Sequence, residues 1–135
     1  ACFTTAQLRK LDGFQARCLR SILGILLAFL SRTSNAVVRQ QAGCKSSSTS
    51  LLERQVIFIG NIVRAGQDSP LSNVSFIPGS FQPATSRYVR NVGRPRREWI
   101  PHVMPYAFQA AGGADHLATA VQSKSVWKRL VHNVF

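Results

Sequence analysis

The chain reads as a mainly α protein, with four to six short helices and a long irregular connector over about residues 66–92. Three features carry that reading. Apolar residues recur every three or four positions over residues 4–24 and 50–65 and again near the C-terminal end. Ser, Asp and Gly stand where helices would begin and end. The run 56–59 is rich in β-branched residues but lacks the period-two alternation of a half-buried strand. A length of 135 residues suffices for one domain with a modest core. Three segments are drawn from composition: an amphipathic helical part over 1–65, an extended Pro/Ser-rich connector over 66–92, and a basic loop with C-terminal helices over 93–135.

The first helix is expected over residues 4–24. On a wheel of about 100° per residue, Leu8, Leu11, Phe14, Cys18, Leu19, Ile22 and Leu26 share one side, and Arg9, Lys10, Arg17 and Arg20 share the other. One face would pack and the other would meet solvent or phosphate. Ser34 is a good N-cap for a short helix closed by Gly43. A polar loop follows over 45–50. Ser50 and Glu53 then have the spacing of a capping box and open a helix to about Ala65. Its Leu52, Val56, Ile59 and Val63 share a face, and Gly60 marks a weak point or a close helix crossing. Pro70, Pro78, Gly79 and Pro83 punctuate the connector. Trp99, Val103, Ala107 and Ala110 have helical spacing, so Pro101 and Pro105 imply a kinked helix or one starting near Pro105. Gly112 and Gly113 stop it. Asp115 is placed to cap a short helix to Gln122, and Ser125 to cap a last one. In that last helix Val126, Trp127, Leu130, Val131 and Val134 pack, while Lys128 and Arg129 face out.

Charge narrows the partner. Lys and Arg number 17 against 5 Asp and Glu, and 13 of the 17 are Arg. Arginine presents a planar fork of donors that suits phosphate. An excess of this size repels itself unless an anionic partner neutralises it, with nucleic acid the first candidate and an anionic membrane surface the second. The longest apolar run, residues 22–30, is broken only by Gly24 and is flanked by Arg20 and Arg32. It is shorter than the roughly 20 residues a spanning helix needs. The N-terminus lacks the apolar stretch after a basic start that marks a signal peptide.

Reaction chemistry has little to stand on. The acids Asp12, Glu53, Asp68, Glu98 and Asp115 are scattered singly, so no carboxylate cluster for two metals exists in the sequence. There is no phosphate-cradling glycine loop ending in Lys-Ser/Thr and no nucleophile elbow. Cys2, Cys18 and Cys44 have neither disulfide-framework nor zinc-site spacing, and Cys18 is expected in the core. Thiols of this kind fit a reducing, intracellular compartment. His102, His116 and His132 stand apart from one another. A non-enzymatic binding module without metal or cofactor is expected.

The most specific local signal is Val92-Gly93-Arg94-Pro95-Arg96-Arg97, with Arg87 and Arg90 just upstream. Such a run can lie extended in a narrow minor groove, where arginines meet enhanced negative potential. The plainer reading is a loop of solvated arginines whose Pro95 opens the next helix.

Taken in order, several motifs resemble a known family. Leu8-Arg9-Lys10-Leu11, Phe14, Cys18-Leu19-Arg20 and Ile22-Leu23-Gly24-Ile25 resemble the stretch downstream of the polymerase core in non-LTR (LINE-type) retrotransposon reverse transcriptases. Residues 34–38 resemble the family's next short helix. Leu52-Glu53-Arg54-Gln55 with Gly60 and Arg64 resembles the helix after it, and Gly93-Arg94-Pro95-Arg96 with Trp99 its glycine-arginine-proline element. The wording is similar to retroelement-like sequences of dinoflagellate algae. The match runs from Leu8 to Trp99 and more weakly to Phe135. Asn61 stands where many members carry His, Pro101 and Pro105 interrupt the helix after Trp99, and no Cys/His knuckle follows.

The resemblance implies an intracellular, nucleic-acid-handling origin without polymerase activity, because the family's catalytic aspartates lie upstream of this region. The expected interface is Arg9, Arg17 and Arg20 on a helix, with Arg87, Arg90, Arg94, Arg96 and Arg97 in a loop, meeting RNA or DNA in a nuclear or organellar setting. The opening at Ala1, inside the first motif, is what a segment of a longer chain would show. The alternative is a small structural subunit of a large assembly, such as a ribosome or a photosynthetic membrane complex, held by protein, RNA or lipid partners. Residues 22–30 would then bury against a neighbour or dip into a bilayer.

Overall fold

The computed structural model describes residues 3–84 and 98–135. The protein is mainly helical: among the described residues there are eight helices and one isolated antiparallel bridge, Phe76 to Pro83. Two compact units divide between Leu51 and Leu52, inside a helix, a boundary that composition does not mark. Composition marks where Pro and Ser accumulate, whereas the units follow which side chains pack together.

In the unit Phe3–Leu51, helix α1 spans Thr5–Ile22. Its start is a reciprocal box: Thr4 Oγ1 accepts the Gln7 N–H at 3.3 Å, and Gln7 Oε1 accepts the Thr4 N–H at 2.8 Å. Leu23 ends it, and Gly24 turns the chain away at φ 66°. A single-turn α2 (Ala28–Ser31) lies within the apolar run and ends at Arg32, in the left-handed region at φ 51°. Helix α3 (Asn35–Gln41) starts as expected, with Ser34 Oγ accepting from the Val37 N–H. It packs on α1 and buries Val38 completely.

The face of α1 that packs is not the apolar one. Ala16 and Arg20 are buried and Leu8, Asp12, Gln15 and Leu19 half-buried, while Leu11, Phe14, Cys18, Ile22 and Leu26 are exposed. Cys18 is thus not in the core, and Arg20 is not on the solvent face. The helix is turned by polar side chains that reach backbone groups elsewhere in the unit. One consequence is the early start of α4 (Ser47–Arg64), which takes in most of the expected polar loop. Ser46, not Ser50, is its cap: Ser46 Oγ accepts the Thr49 N–H at 3.1 Å, and the Ser50 N–H bonds the Ser46 carbonyl.

In the unit Leu52–Phe135, the later turns of α4 meet α5 (Pro70–Ser75), α6 (Trp99–Ala111), α7 (Leu117–Ala120) and α8 (Lys124–Val134) around one core. Trp127, Ile59, Val56, Val103, Leu117 and Val131 are fully buried there. The α4 stripe and the α8 spacing put Val56, Ile59, Trp127 and Val131 inward as the sequence implies, whereas Val126, expected to pack, is exposed. Trp127 lies directly on Gly60: a Cβ at that position would sit 2.3 Å from the indole Nε1. The indole N–H donates to the Ile57 carbonyl at 3.3 Å, so the buried ring keeps a partner. Gly60 is therefore a close crossing.

Helix α6 begins at Trp99, not near Pro105, and runs through Pro105 to Gly112. Pro101 falls in its first turn, where a missing N–H costs no helical bond, and Pro105 removes only one. The described part of the connector is folded rather than extended. Pro70 opens α5, the Ile77 N–H bonds the Gln82 carbonyl, and the Ala84 N–H bonds the Ser75 carbonyl. Phe76 is buried and meets Phe81 edge-on at 6.0 Å. His116 and Ser123, rather than Asp115 and Ser125, precede α7 and α8. The apolar Leu117 and Trp127 must enter the core, and their burial sets where each helix begins.

Two glycine substitutions separate these contacts. Gly60→Ala forces a methyl onto Trp127 and is expected to destabilise the protein by about 1–3 kcal/mol. Gly13→Ala, inside α1 with nothing within 4 Å of the new Cβ, is expected to stabilise by about 0.5–1 kcal/mol. Urea unfolding followed by circular dichroism, with the fluorescence of Trp99 and Trp127 as the second probe, checks both signs.

Candidate nucleic-acid interface

The bases of α1 separate into two kinds. Arg9, Lys10 and Arg17 are exposed and make no hydrogen bond or ion pair among the described residues. Arg20 is 4% exposed, and both of its terminal nitrogens are engaged. Its Nη1 donates to the Leu26 carbonyl at 3.1 Å and to Ser31 Oγ at 3.2 Å. Its Nη2 donates to Asn35 Oδ1 at 3.1 Å and to the Thr33 carbonyl. These acceptors all lie on the chain between α1 and the first residue of α3. The guanidinium fork ties that segment down, and its Nη groups are spent on backbone and side-chain acceptors of the same unit.

The single acid of this unit is also engaged. Asp12 Oδ1 accepts the Ser48 N–H at 2.8 Å, and Oδ2 accepts the Ser48 hydroxyl at 2.6 Å. Gln15 sits one turn on: its Oε1 accepts the Ser47 N–H at 2.9 Å and its Nε2 donates to the Lys45 carbonyl at 2.9 Å. With Ser46 on Thr49, the first three amides of α4 all have side-chain acceptors. The Asp12 carboxylate lies at the positive end of that helix, where a negative charge is favoured. It therefore faces α4, and Arg9, Lys10 and Arg17 keep their charge toward water.

Arg87, Arg90, Arg94, Arg96 and Arg97 lie outside the described residues. A further group of bases belongs to no motif in the sequence. On α8, Lys124, Lys128 and Arg129 are exposed and unpaired among the described residues. The spacing of four between Lys124 and Lys128 is the one local signal of that face. The sequence already turns Lys128 and Arg129 outward, and the burial of Trp127 and Val131 agrees with it. His132 continues the row, with Nδ1 3.0 Å from Glu53 Oε1.

A cleft of about 440 Å³ in the unit Leu52–Phe135 is lined by Val63, Arg64, Ser72, Phe81 and Val121, with Gly66, Gln67, Ala118 and Gln122. Its lining carries one cation and no carboxylate, thiol or imidazole. That cation is occupied: Arg64 Nη1 donates to the Val121 carbonyl at 2.6 Å, and Nη2 to Asn61 Oδ1. No group of three His, Cys, Asp or Glu that could hold a metal ion occurs among the described residues. Cys18 and Cys44 are exposed free thiols. Among the described residues no helix is long and apolar enough to cross a membrane. The arrangement offers solvated cations on helix faces, which can bind anions.

Comparison with known protein families, characterised proteins and solved structures gives no match for the chain.

The two kinds of arginine are separable by stability. Arg20→Ala is expected to cost about 2–3 kcal/mol, because four part-buried hydrogen bonds from a charged donor are lost together. Asp12→Ala is expected to cost about 1–2 kcal/mol, as loss of a helix cap does. Arg9→Ala and Arg17→Ala should each stay within about 0.5 kcal/mol of the parent. Thermal unfolding of the four variants side by side measures the split.

Proposed function

We propose that the chain is a non-catalytic, basic nucleic-acid-binding segment of the kind found downstream of the polymerase core in non-LTR retrotransposon reverse transcriptases, acting inside the cell. The observation that carries this reading is the solvated trio Arg9, Lys10 and Arg17 on α1, left without a carboxylate partner because Asp12 is bound to Ser48. Helix faces of this kind neutralise phosphates and release condensed counterions, so affinity is electrostatic and largely independent of sequence. Lys124, Lys128 and Arg129 supply a second exposed basic face. The arginines at 87, 90, 94, 96 and 97 are further phosphate contacts in this proposal, with the Gly93-Arg94-Pro95-Arg96 run giving any preference for groove shape.

Fluorescence anisotropy with labelled RNA and DNA over a salt series tests the reading. Log affinity should fall steeply and linearly with log salt. Replacing Arg9, Lys10 and Arg17 by Ala should reduce the slope by about one for each phosphate that is no longer neutralised. Arg96→Ala with Arg97→Ala should act in the same direction. A flat salt dependence, or a triple variant that binds like the parent, would sink the proposal.

A further inference from the structure

The unit Phe3–Leu51 leaves several large apolar side chains exposed, most of them within residues 22–30. Ile22 is 77% exposed, Phe29 76%, Leu26 65%, and Phe14 and Leu30 each 59%. Isolated exposed apolar residues are ordinary, but several large ones along one short segment mark an interaction surface. This segment is also held at its base. The buried Arg20 guanidinium grips the Leu26 and Thr33 carbonyls, Ser31 and Asn35. The Ile25 N–H bonds the Arg20 carbonyl, and the N–H groups of Leu30, Ser31 and Arg32 bond back to Leu27 and Ala28. Part of the backbone is thus satisfied from within, which holds the segment in place while its apolar side chains stay exposed.

Charge decides between occupants. Lys10 and Arg17 lie four residues before and three after Phe14 on α1, and Arg32 lies three beyond Phe29. All three are exposed and unpaired among the described residues. The unit holds seven Lys and Arg against one acid, Asp12, which is bound to Ser48. The occupant must therefore be apolar and anionic together. Nucleic acid brings phosphate but no saturated surface to cover leucine and isoleucine. A second copy of this unit would set seven bases against seven. A bilayer with anionic headgroups supplies both features: apolar side chains settle below the headgroups while basic ones stay level with them.

We propose that the edge formed by Phe14, Ile22, Leu26, Phe29 and Leu30 docks on an anionic lipid surface, with Lys10, Arg17 and Arg32 at the headgroups. The segment lies on the bilayer and does not cross it. The proposal rests on this edge and not on the nucleic-acid reading.

The test is co-sedimentation of the nuclease-treated full chain with phosphatidylcholine vesicles, with and without phosphatidylserine. Binding should be at least about tenfold tighter with phosphatidylserine, since each base near the surface contributes about fivefold. Leu26→Ser combined with Phe29→Ser, both at exposed positions, should weaken vesicle binding about tenfold or more with an unchanged circular dichroism spectrum. The same double variant should bind RNA like the parent, which keeps the two readings distinct. Failure to bind anionic vesicles would overturn the proposal. So would binding that ignores the Leu26 and Phe29 substitutions, which would be charge alone. Self-association of the parent that the double variant abolishes would assign the edge to a second copy and also overturn it.

Discussion

Asp12, Gln15 and Arg20 project from the packed side of α1 and satisfy backbone groups elsewhere in the unit Phe3–Leu51. Asp12 and Gln15 take the first amides of α4. Arg20 donates into the turn between α1 and α3. Helix ends and tight turns leave polar groups that cost about 1–3 kcal/mol each when buried without partners. Meeting that demand outweighs burying a few more leucines, because an uncovered apolar side chain on the surface loses only its share of transfer energy. The orientation of α1, the early start of α4 and the exposure of Ile22 and Phe29 all follow from this commitment.

The same commitment shapes the electrostatics. A helix carrying Arg9, Lys10, Asp12 and Arg17 would ordinarily be read as a mixed, partly self-neutralised surface. Turning Asp12 toward Ser48 removes the negative member from the solvent side. What reaches water is a basic face next to an apolar edge. A polyanion and a lipid headgroup layer make different use of such a surface: the first needs only the cations, and the second needs both parts.

The unit Leu52–Phe135 is organised on the ordinary principle of apolar packing. Trp127 fills the space against α4 that the missing Cβ of Gly60 leaves open, and α6 closes over it with Val103 and Ala107. Its caps yield to packing: α8 starts at Lys124, and α7 is a single turn that serves to insert Leu117. The exposure of Lys128 and Arg129 is a by-product, since both fall between the inward Trp127 and Val131.

Much of this was legible in the sequence. Helical class, the first and third helices with their Thr4 and Ser34 starts, the stop at Gly24, and the buried stripe of Val56, Ile59 and Val103 rest on local signals: side-chain oxygens within reach of nearby amides, glycine in the left-handed region, and a period of about 3.6 residues. The basic residues available to a polyanion were likewise countable. Tertiary structure alone decided which way α1 faces, because a wheel sums apolar residues and cannot see that Asp12, Gln15 and Arg20 will find partners 6 to 36 positions further along the chain. It also decided that Arg20 is structural while Arg9 and Arg17 are solvated, and that the connector folds back through Phe76 and Pro83. Local chemistry sets where helices can form; the pairing of distant polar groups sets which of their faces meets water.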